Sequence, residues 1–334
     1  MRDSSRRWLV NKLVSGGEYQ LLPFFMFLFD RIPFLKRTRL TMRAARLRKK
    51  RIFSGEIKHP SLLPEEHALI ASYPRSGNTW LSYLVADVIL QQNGYQTSTK
   101  LPLNEREILP DLDRGDLQNC PHASLAPLLI GKTHLSSADW MHSGIFLFRQ
   151  PADSLTSYFH FHNRYPERQH ETRDGLDAFC RRFAEEWFEH AMSFVWTCEE
   201  SERFVAVSYE SLLMNPHEML GKVLDHFSIA WTPEQLDIAV THHTFQKHAE
   251  AKKEDGKREK FFRKGKIGSG AEELSAKTLK WIDSVCGPVY ERAVRLMSDN
   301  NGSAVPAKGS CGDNSNRDEN SGDKKEGGES AHAA

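Results

Sequence analysis

Cysteine is scarce in this 334-residue chain. There are five (Cys120, Cys180, Cys198, Cys286 and Cys311), irregularly spaced and with no C-x-x-C pair. That argues against a disulfide scaffold and a cysteine-based zinc site, and it fits a reducing, cytoplasmic setting. A membrane-spanning run is also missing. The longest apolar stretch, Leu21 to Leu35 (LLPFFMFLFDRIPFL), holds two prolines and is broken by Asp30-Arg31. A spanning helix needs about 20 apolar residues. The run starts too late, and lacks the small-residue cleavage site, for a secretory signal. No internal repeat is present. Net charge is nearly absent, at +1 from 45 basic and 44 acidic residues.

That small charge is a cancellation. Residues 1–60 carry 15 Lys and Arg against 4 Asp and Glu, and residues 300–334 carry 4 against 6. The middle is therefore acidic. Three regions follow: a basic, partly apolar extension over 1–60, a catalytic-sized domain over 61–299, and a polar tail over 300–334. The tail has no aromatic residue and no Leu, Ile or Met, so it is expected to be disordered. The head joins Phe24, Phe25, Phe27 and Phe29 to the basic stretch Arg43 to Arg51. It reads either as a solvated helical extension packed on the body or as a peripheral membrane contact, aromatics in lipid and cations at headgroups. Nothing else in the chain supports a nucleic-acid partner.

The body alternates apolar strands with helical patterns. His67–Tyr73, Leu125–Ile130, Ile145–Phe148 and Phe204–Val207 read as strands. Trp80, Leu81, Leu84, Val85 and Val88 form a helical stripe. Asp177 is placed to cap a long aromatic helix, and Ser275 a last helix reaching Met297. Such a pattern implies an α/β fold with a central parallel sheet covered by helices on both faces.

Four segments carry chemistry. The first is Tyr73-Pro74-Arg75-Ser76-Gly77-Asn78-Thr79-Trp80, between a strand and a helix. Backbone N–H groups at a helix start attract an anion, Gly77 permits close approach, and Arg75 adds a forked cation. It lacks the second glycine and the lysine of a Walker loop, so an ordinary strand–helix turn stands beside the phosphate-loop reading. The second is Lys132-Thr133-His134, at a strand end, where α/β sheets place ligands. A histidine there suits a general base and a lysine offsets developing negative charge, while a structural histidine is the plainer alternative. In the third, Arg149 ends a strand and Ser157 follows eight residues later on a helix, so both could grip one phosphate. The fourth, Phe261-Phe262-Arg263-Lys264-Gly265-Lys266-Ile267-Gly268, suits a loop folding over an anion or a solvated basic loop. The pair His160 and His162 has i, i+2 spacing, which turns two helical side chains apart and disfavours a metal site.

Together, and in this order, the four segments resemble the sulfotransferases that use 3′-phosphoadenosine 5′-phosphosulfate (PAPS), specifically the cytosolic type. That family has Y-P-K-S-G-T-T-W, K-T-H, R-x7-S and R-K-G-x-x-G segments. The resemblance covers about residues 61–270 and implies the P-loop-like sulfotransferase fold. It also implies roles. Arg75, Ser76, Gly77, Asn78 and Thr79 would hold the 5′-phosphate beside the sulfuryl group, and Trp80 would stack on adenine. Arg149, Ser157, Arg263, Lys264 and Gly265 would bind the 3′-phosphate. Tyr209, Thr244 and Phe245 would contact adenine. His134 would be the catalytic base, with Lys132 and Arg75 stabilising the transition state.

Departures from the family pattern are Arg75 for lysine, His243 before Thr244-Phe245, and Gly268-Ser269-Gly270 where the family often has G-D-W. The family's dimerisation signature is not found. The implied reaction moves a sulfuryl group in line onto a hydroxyl or amine of a small, apolar or lipid-like acceptor. It requires no metal. Phe159, Phe161, Phe179, Phe183 and Trp187 would line the acceptor pocket or belong to the core, and His160 and His162 would lie near the acceptor. Two other functions compete. A phosphate-loop nucleoside kinase leaves the Arg149 and Ser157 pair unexplained. A non-catalytic, membrane-associated nucleotide-binding protein predicts loss of His134 or Lys132, and both are present.

Overall fold

Six consecutive buried residues, His67–Ser72, form β1, the strand from which the site is built. The computed structural model describes residues 63–244 and 266–299, with Leu40, Thr41 and Lys247. The aromatic run of the head, the tail, Phe245, Arg263, Lys264 and Gly265 lie outside the described residues. β1 pairs in parallel with β2 (Leu129–Thr133) on one side and β3 (Ser143–Phe148) on the other, and β3 pairs with β4 (Phe204–Ser208). The order is β2-β1-β3-β4. In sheets wound this way the crevice at the β1/β3 switch point collects ligands.

Strand residues alternate between two cores. Leu69, Ala71, Phe146, Phe148 and Ala206 face one apolar cluster, with Phe179, Phe183, Trp187 and Val285. Ala68, Ile70, Ile145, Leu147 and Val207 face the other, with Trp80, Leu84, Val88 and Leu220. The period of two along each strand puts successive side chains on opposite faces, so helices must cover both. On one face lie α1 (Asn78–Gln92), α6 (Pro216–His226) and α7 (Pro233–His242). On the other lie α3 (Pro151–His162), α4 (Gly175–Glu200) and α8 (Ala276–Asp299). Two short helices accompany them, α2 (Glu105–Ile108) and α5 (Tyr209–Met214). This is the α/β architecture that the strand and helix pattern implies. Among the described residues no helix is long and apolar enough to cross a membrane.

Two local expectations are corrected. The second strand is Leu129–Thr133 rather than 125–130, so Lys132 lies within it. Leu125 belongs instead to a 3-10 turn, and Pro127, which lacks a backbone donor, separates that turn from the strand. Asp177 does not cap α4. It sits in the first turn, and its carboxylate accepts the Ser275 N–H at 3.1 Å. Ser275 does cap α8, accepting the Thr278 N–H at 3.3 Å.

Candidate active site

The loop between β1 and α1 is a tight left-handed turn. Arg75 has φ 70° and Gly77 φ 103°, and the Ser76 N–H returns to the Tyr73 carbonyl. A side chain on Gly77 would be strained at this angle, and its Cβ would stand 2.8 Å from Cδ2 of Tyr209. The start of α1 has no side-chain cap and no acidic residue in its first turn. Its free N–H groups and dipole are therefore left to an anion. Asn78 opens α1 with its side chain turned inward. Its side chain is buried and donates to the Ile70 carbonyl at 2.9 Å and to Ser72 Oγ at 3.1 Å. Only its backbone is left to a ligand. Thr79 follows it in the first turn, half-buried.

Arg75 and Ser157 come together across 82 residues: Arg75 Nε donates to Ser157 Oγ at 3.2 Å. The guanidinium also lies 5.3 Å from the centre of the Phe161 ring, a cation–π distance. Arg149, just beyond β3, donates from Nη1 to the Arg75 carbonyl at 3.3 Å and lies 4.3 Å over the Tyr209 ring. Burial, with Arg164 and Arg149 close by, pulls the Arg75 guanidinium down to about 10, and it stays charged at neutral pH. Two arginines joined through the Arg75 carbonyl, with a third adding to the local positive potential, favour a multiply charged anion.

His134 and Lys132 share one face of the strand end but not one partner. The His134 Nδ1 lies 2.8 Å from the Ser72 carbonyl. The Ser72 hydroxyl oxygen lies 3.3 Å from the same nitrogen. A carbonyl only accepts, so its contact is a hydrogen bond in the form that carries a proton on Nδ1, and in the neutral imidazole of that form Nε2 has the lone pair. The His134 N–H donates to Asp113 Oδ2 at 2.6 Å, and the same carboxylate takes the Thr133 hydroxyl at 2.8 Å. The imidazole is exposed. Lys132, by contrast, is buried in an ion pair with Glu105 of α2, 3.0 Å from Nζ to Oε1. Its charge is neutralised there, so transition-state stabilisation by Lys132 requires that pair to open.

Trp80, Tyr209 and the backbone before Thr244 come together. Trp80 packs edge-on to Tyr209 at 5.9 Å and donates from Nε1 to the His243 carbonyl at 2.6 Å. Thr244 follows, half-buried. His243, the departure from the family pattern, is fully buried, and its Nε2 lies 2.7 Å from Asp87 Oδ2. Burial works to raise the Asp87 carboxyl, but hydrogen bonds from His243, Thr97 and Gln91 outweigh it and hold the group below its usual range. Thus His243 anchors the backbone that Trp80 needs.

The aromatic residues divide. Phe179, Phe183 and Trp187 are buried core, whereas Tyr158, Phe159 and Phe161 keep partial exposure. His160 pairs with Glu273 at 2.6 Å, and His162 is buried with Tyr158 4.2 Å away. The two imidazoles serve separate contacts. Among the described residues no cluster of three or more His, Cys, Asp or Glu is placed to hold a metal ion.

The residues fit a nucleotide carrying two anionic groups. Ser76 Oγ and Arg149 Nε are buried and have no hydrogen-bond partner among the described residues. Such groups are costly unless something supplies the missing bond. Sequence reasoning missed Ser72, Glu105, Asp113 and Asp153. For Asp153 a signal existed, because it lies four residues after Arg149 at the start of a helix, the spacing of an ion pair.

The sulfotransferase-domain family model matches residues 65–300. Sulfotransferase 6B1 of Danio rerio is 26% identical over 237 residues, covering 66% of this chain and 77% of its own length. A 3-beta-hydroxysteroid sulfotransferase of Cavia porcellus is 24% identical over 204 residues, covering 57% and 69%. Among solved structures, mouse sulfotransferase SULT7A1 complexed with PAP superposes with a TM-score of 0.53 at 18% identity, covering 76% of this chain and 95% of that one. The α/β fold with its parallel sheet agrees with the family match, and the chain belongs to the sulfotransferase domain family.

Proposed function

We propose that this protein transfers the sulfuryl group of PAPS in line to a hydroxyl or amine of a small, apolar or aromatic acceptor, with His134 as general base. PAPS supplies a sulfuryl group already bonded to a good leaving group, the 5′-phosphate of 3′,5′-ADP. The loop N–H groups, Ser76 and Arg75 bind and neutralise that phosphate. Arg149 and Ser157 hold the 3′-phosphate, joined in this proposal by Arg263, Lys264 and Gly265. Trp80, Tyr209, Thr244 and Phe245 hold the adenine. His134 takes the acceptor proton at Nε2. Lys132 stabilises charge on the transferring group once released from Glu105. The PAP complex of the mouse structure and the hydroxysteroid in the guinea-pig relative's name support this choice of donor and acceptor class. A cytoplasmic location, and peripheral membrane contact through residues 1–60, belong to the same proposal.

The observation that carries it is the 2.8 Å contact between His134 Nδ1 and the Ser72 carbonyl. With the proton on Nδ1, Nε2 is the nitrogen left to take a proton, at the strand end next to the loop between β1 and α1. A positioned base contributes about 10²–10⁴-fold to rate. His134→Ala is therefore expected to abolish transfer of label from [³⁵S]PAPS to a panel of phenols, steroids, alcohols and amines while leaving 3′,5′-ADP binding intact. Turnover retained in that variant would reject the base assignment.

A further inference from the structure

Asp153 lies in the first turn of α3, four residues after Arg149, with its side chain fully buried. A buried carboxylate is costly unless its oxygens are satisfied. Here Oδ1 accepts the Gly270 N–H at 2.6 Å and Oδ2 the Gly268 N–H at 2.8 Å. Oδ2 also faces Arg149 Nη2 at 3.8 Å. The helix start does not need this carboxylate, because the Gln150 side chain already caps it, accepting the Asp153 N–H at 2.9 Å. What the carboxylate does is bind a segment 115 residues away. That segment arrives at backbone contact. A Cβ on Gly270 would stand 2.4 Å from the Ala152 carbonyl oxygen. The Gly268-Ser269-Gly270 departure from the family pattern is thus explained at its last position, since no side chain fits there. Farther along, Glu273 pairs with His160 and Ser275 with Asp177.

Arg149 is held on three sides, by the Arg75 carbonyl, the Tyr209 ring and Asp153, while its buried Nε has no hydrogen-bond partner among the described residues. We propose that Asp153 is a positioning residue for the 3′-phosphate subsite. One carboxylate fixes the Arg149 guanidinium and docks the Gly268–Gly270 backbone beside it, so the subsite is assembled before nucleotide arrives. This rests on the donor reading above. The carboxylate itself repels a phosphate. Its benefit is therefore placement, and that determines the sign of the test.

Asp153→Asn in the full chain is the probe. An asparagine oxygen still accepts one glycine N–H, but its NH₂ meets the other glycine N–H and Arg149, donor against donor. By titration calorimetry, 3′,5′-ADP affinity falls about tenfold or more, as expected when a charge-assisted contact is misplaced. Affinity for 5′-AMP changes less than about threefold, since it lacks the 3′-phosphate. Gly270→Ala keeps the carboxylate but blocks the approach. It gives the same selective loss and serves alone should the asparagine variant not fold. Equal losses for both nucleotides, no loss, or tighter 3′,5′-ADP binding in Asp153→Asn overturn the proposal. A wild-type protein that binds both nucleotides equally refutes the donor reading itself. A wild-type preference preserved in both variants refutes only the role of Asp153.

Discussion

Replacing Gly77 by alanine adds one methyl group at the centre of the site, and the structure says what it meets. The residue sits at φ 103°, and the new carbon would stand 2.8 Å from the Tyr209 ring. Left-handed backbone costs a residue with a Cβ about 1–2 kcal/mol. Overpacking a tight contact adds about 1–3 kcal/mol, so the sum is about 2–5 kcal/mol. For a domain of this size each kcal/mol moves Tm by about 2–4 °C, so a fall of about 4–20 °C is expected. The effect is not confined to stability. Tyr209 carries the Arg149 guanidinium on its face and the Trp80 edge at its side. Displacing the ring disturbs both groups assigned to the nucleotide. Thermal melting with and without 3′,5′-ADP reads both consequences. Gly94→Ala is the control: its φ is also positive, at 78°, but nothing lies within 4 Å of the added carbon. It should lose only the conformational part, about 1–2 kcal/mol. If Gly77→Ala melts no lower than Gly94→Ala and is stabilised as much by 3′,5′-ADP as wild type, the close approach at Gly77 does no work.

Two further outcomes follow from buried charge. Glu105→Gln removes the ion-pair partner of the buried Lys132 ammonium, and denaturant unfolding should show a loss of about 3 kcal/mol; stability within about 0.5 kcal/mol of wild type would show the pair to be dispensable. Asp87 is held below its ordinary range in the folded state. Its contribution is therefore present above the unfolded value near pH 4 and is lost as pH falls through the lower folded value. Unfolding free energies between pH 2 and 6 should decline less steeply in Asp87→Asn; parallel curves would contradict the reading.

Local patterns were legible in the sequence where neighbouring residues decide the structure. The stripe from Trp80 to Val88 made α1 readable, the apolar run before Arg149 made β3 readable, and Ser275 marked the start of α8. The turn between β1 and α1 was legible because a strand, a glycine and a helix follow one another without interruption. What could not be read is what distant segments decide. Glu105 finds Lys132 across 27 residues, and Gly270 finds Asp153 across 117. No local periodicity encodes either meeting. Asn78 looked like a ligand contact because of its place in the loop, yet its amide is consumed by β1. Phe179, Phe183 and Trp187 had the spacing of a helix face, which serves a pocket or a core equally well, and packing between α4, α8 and the sheet resolves them as core. The start of β2 was misplaced because apolar residues continue back through Pro127 into the turn before it.

The central claim is that the site is built for an adenine nucleotide with phosphates at both the 3′ and 5′ positions. The most direct measurement compares the thermal shift of the wild-type chain with 3′,5′-ADP and with ATP plus Mg²⁺. Strong stabilisation by 3′,5′-ADP without added metal is the result this account requires. Stabilisation by ATP with Mg²⁺ alone would contradict it and point to phosphoryl rather than sulfuryl chemistry.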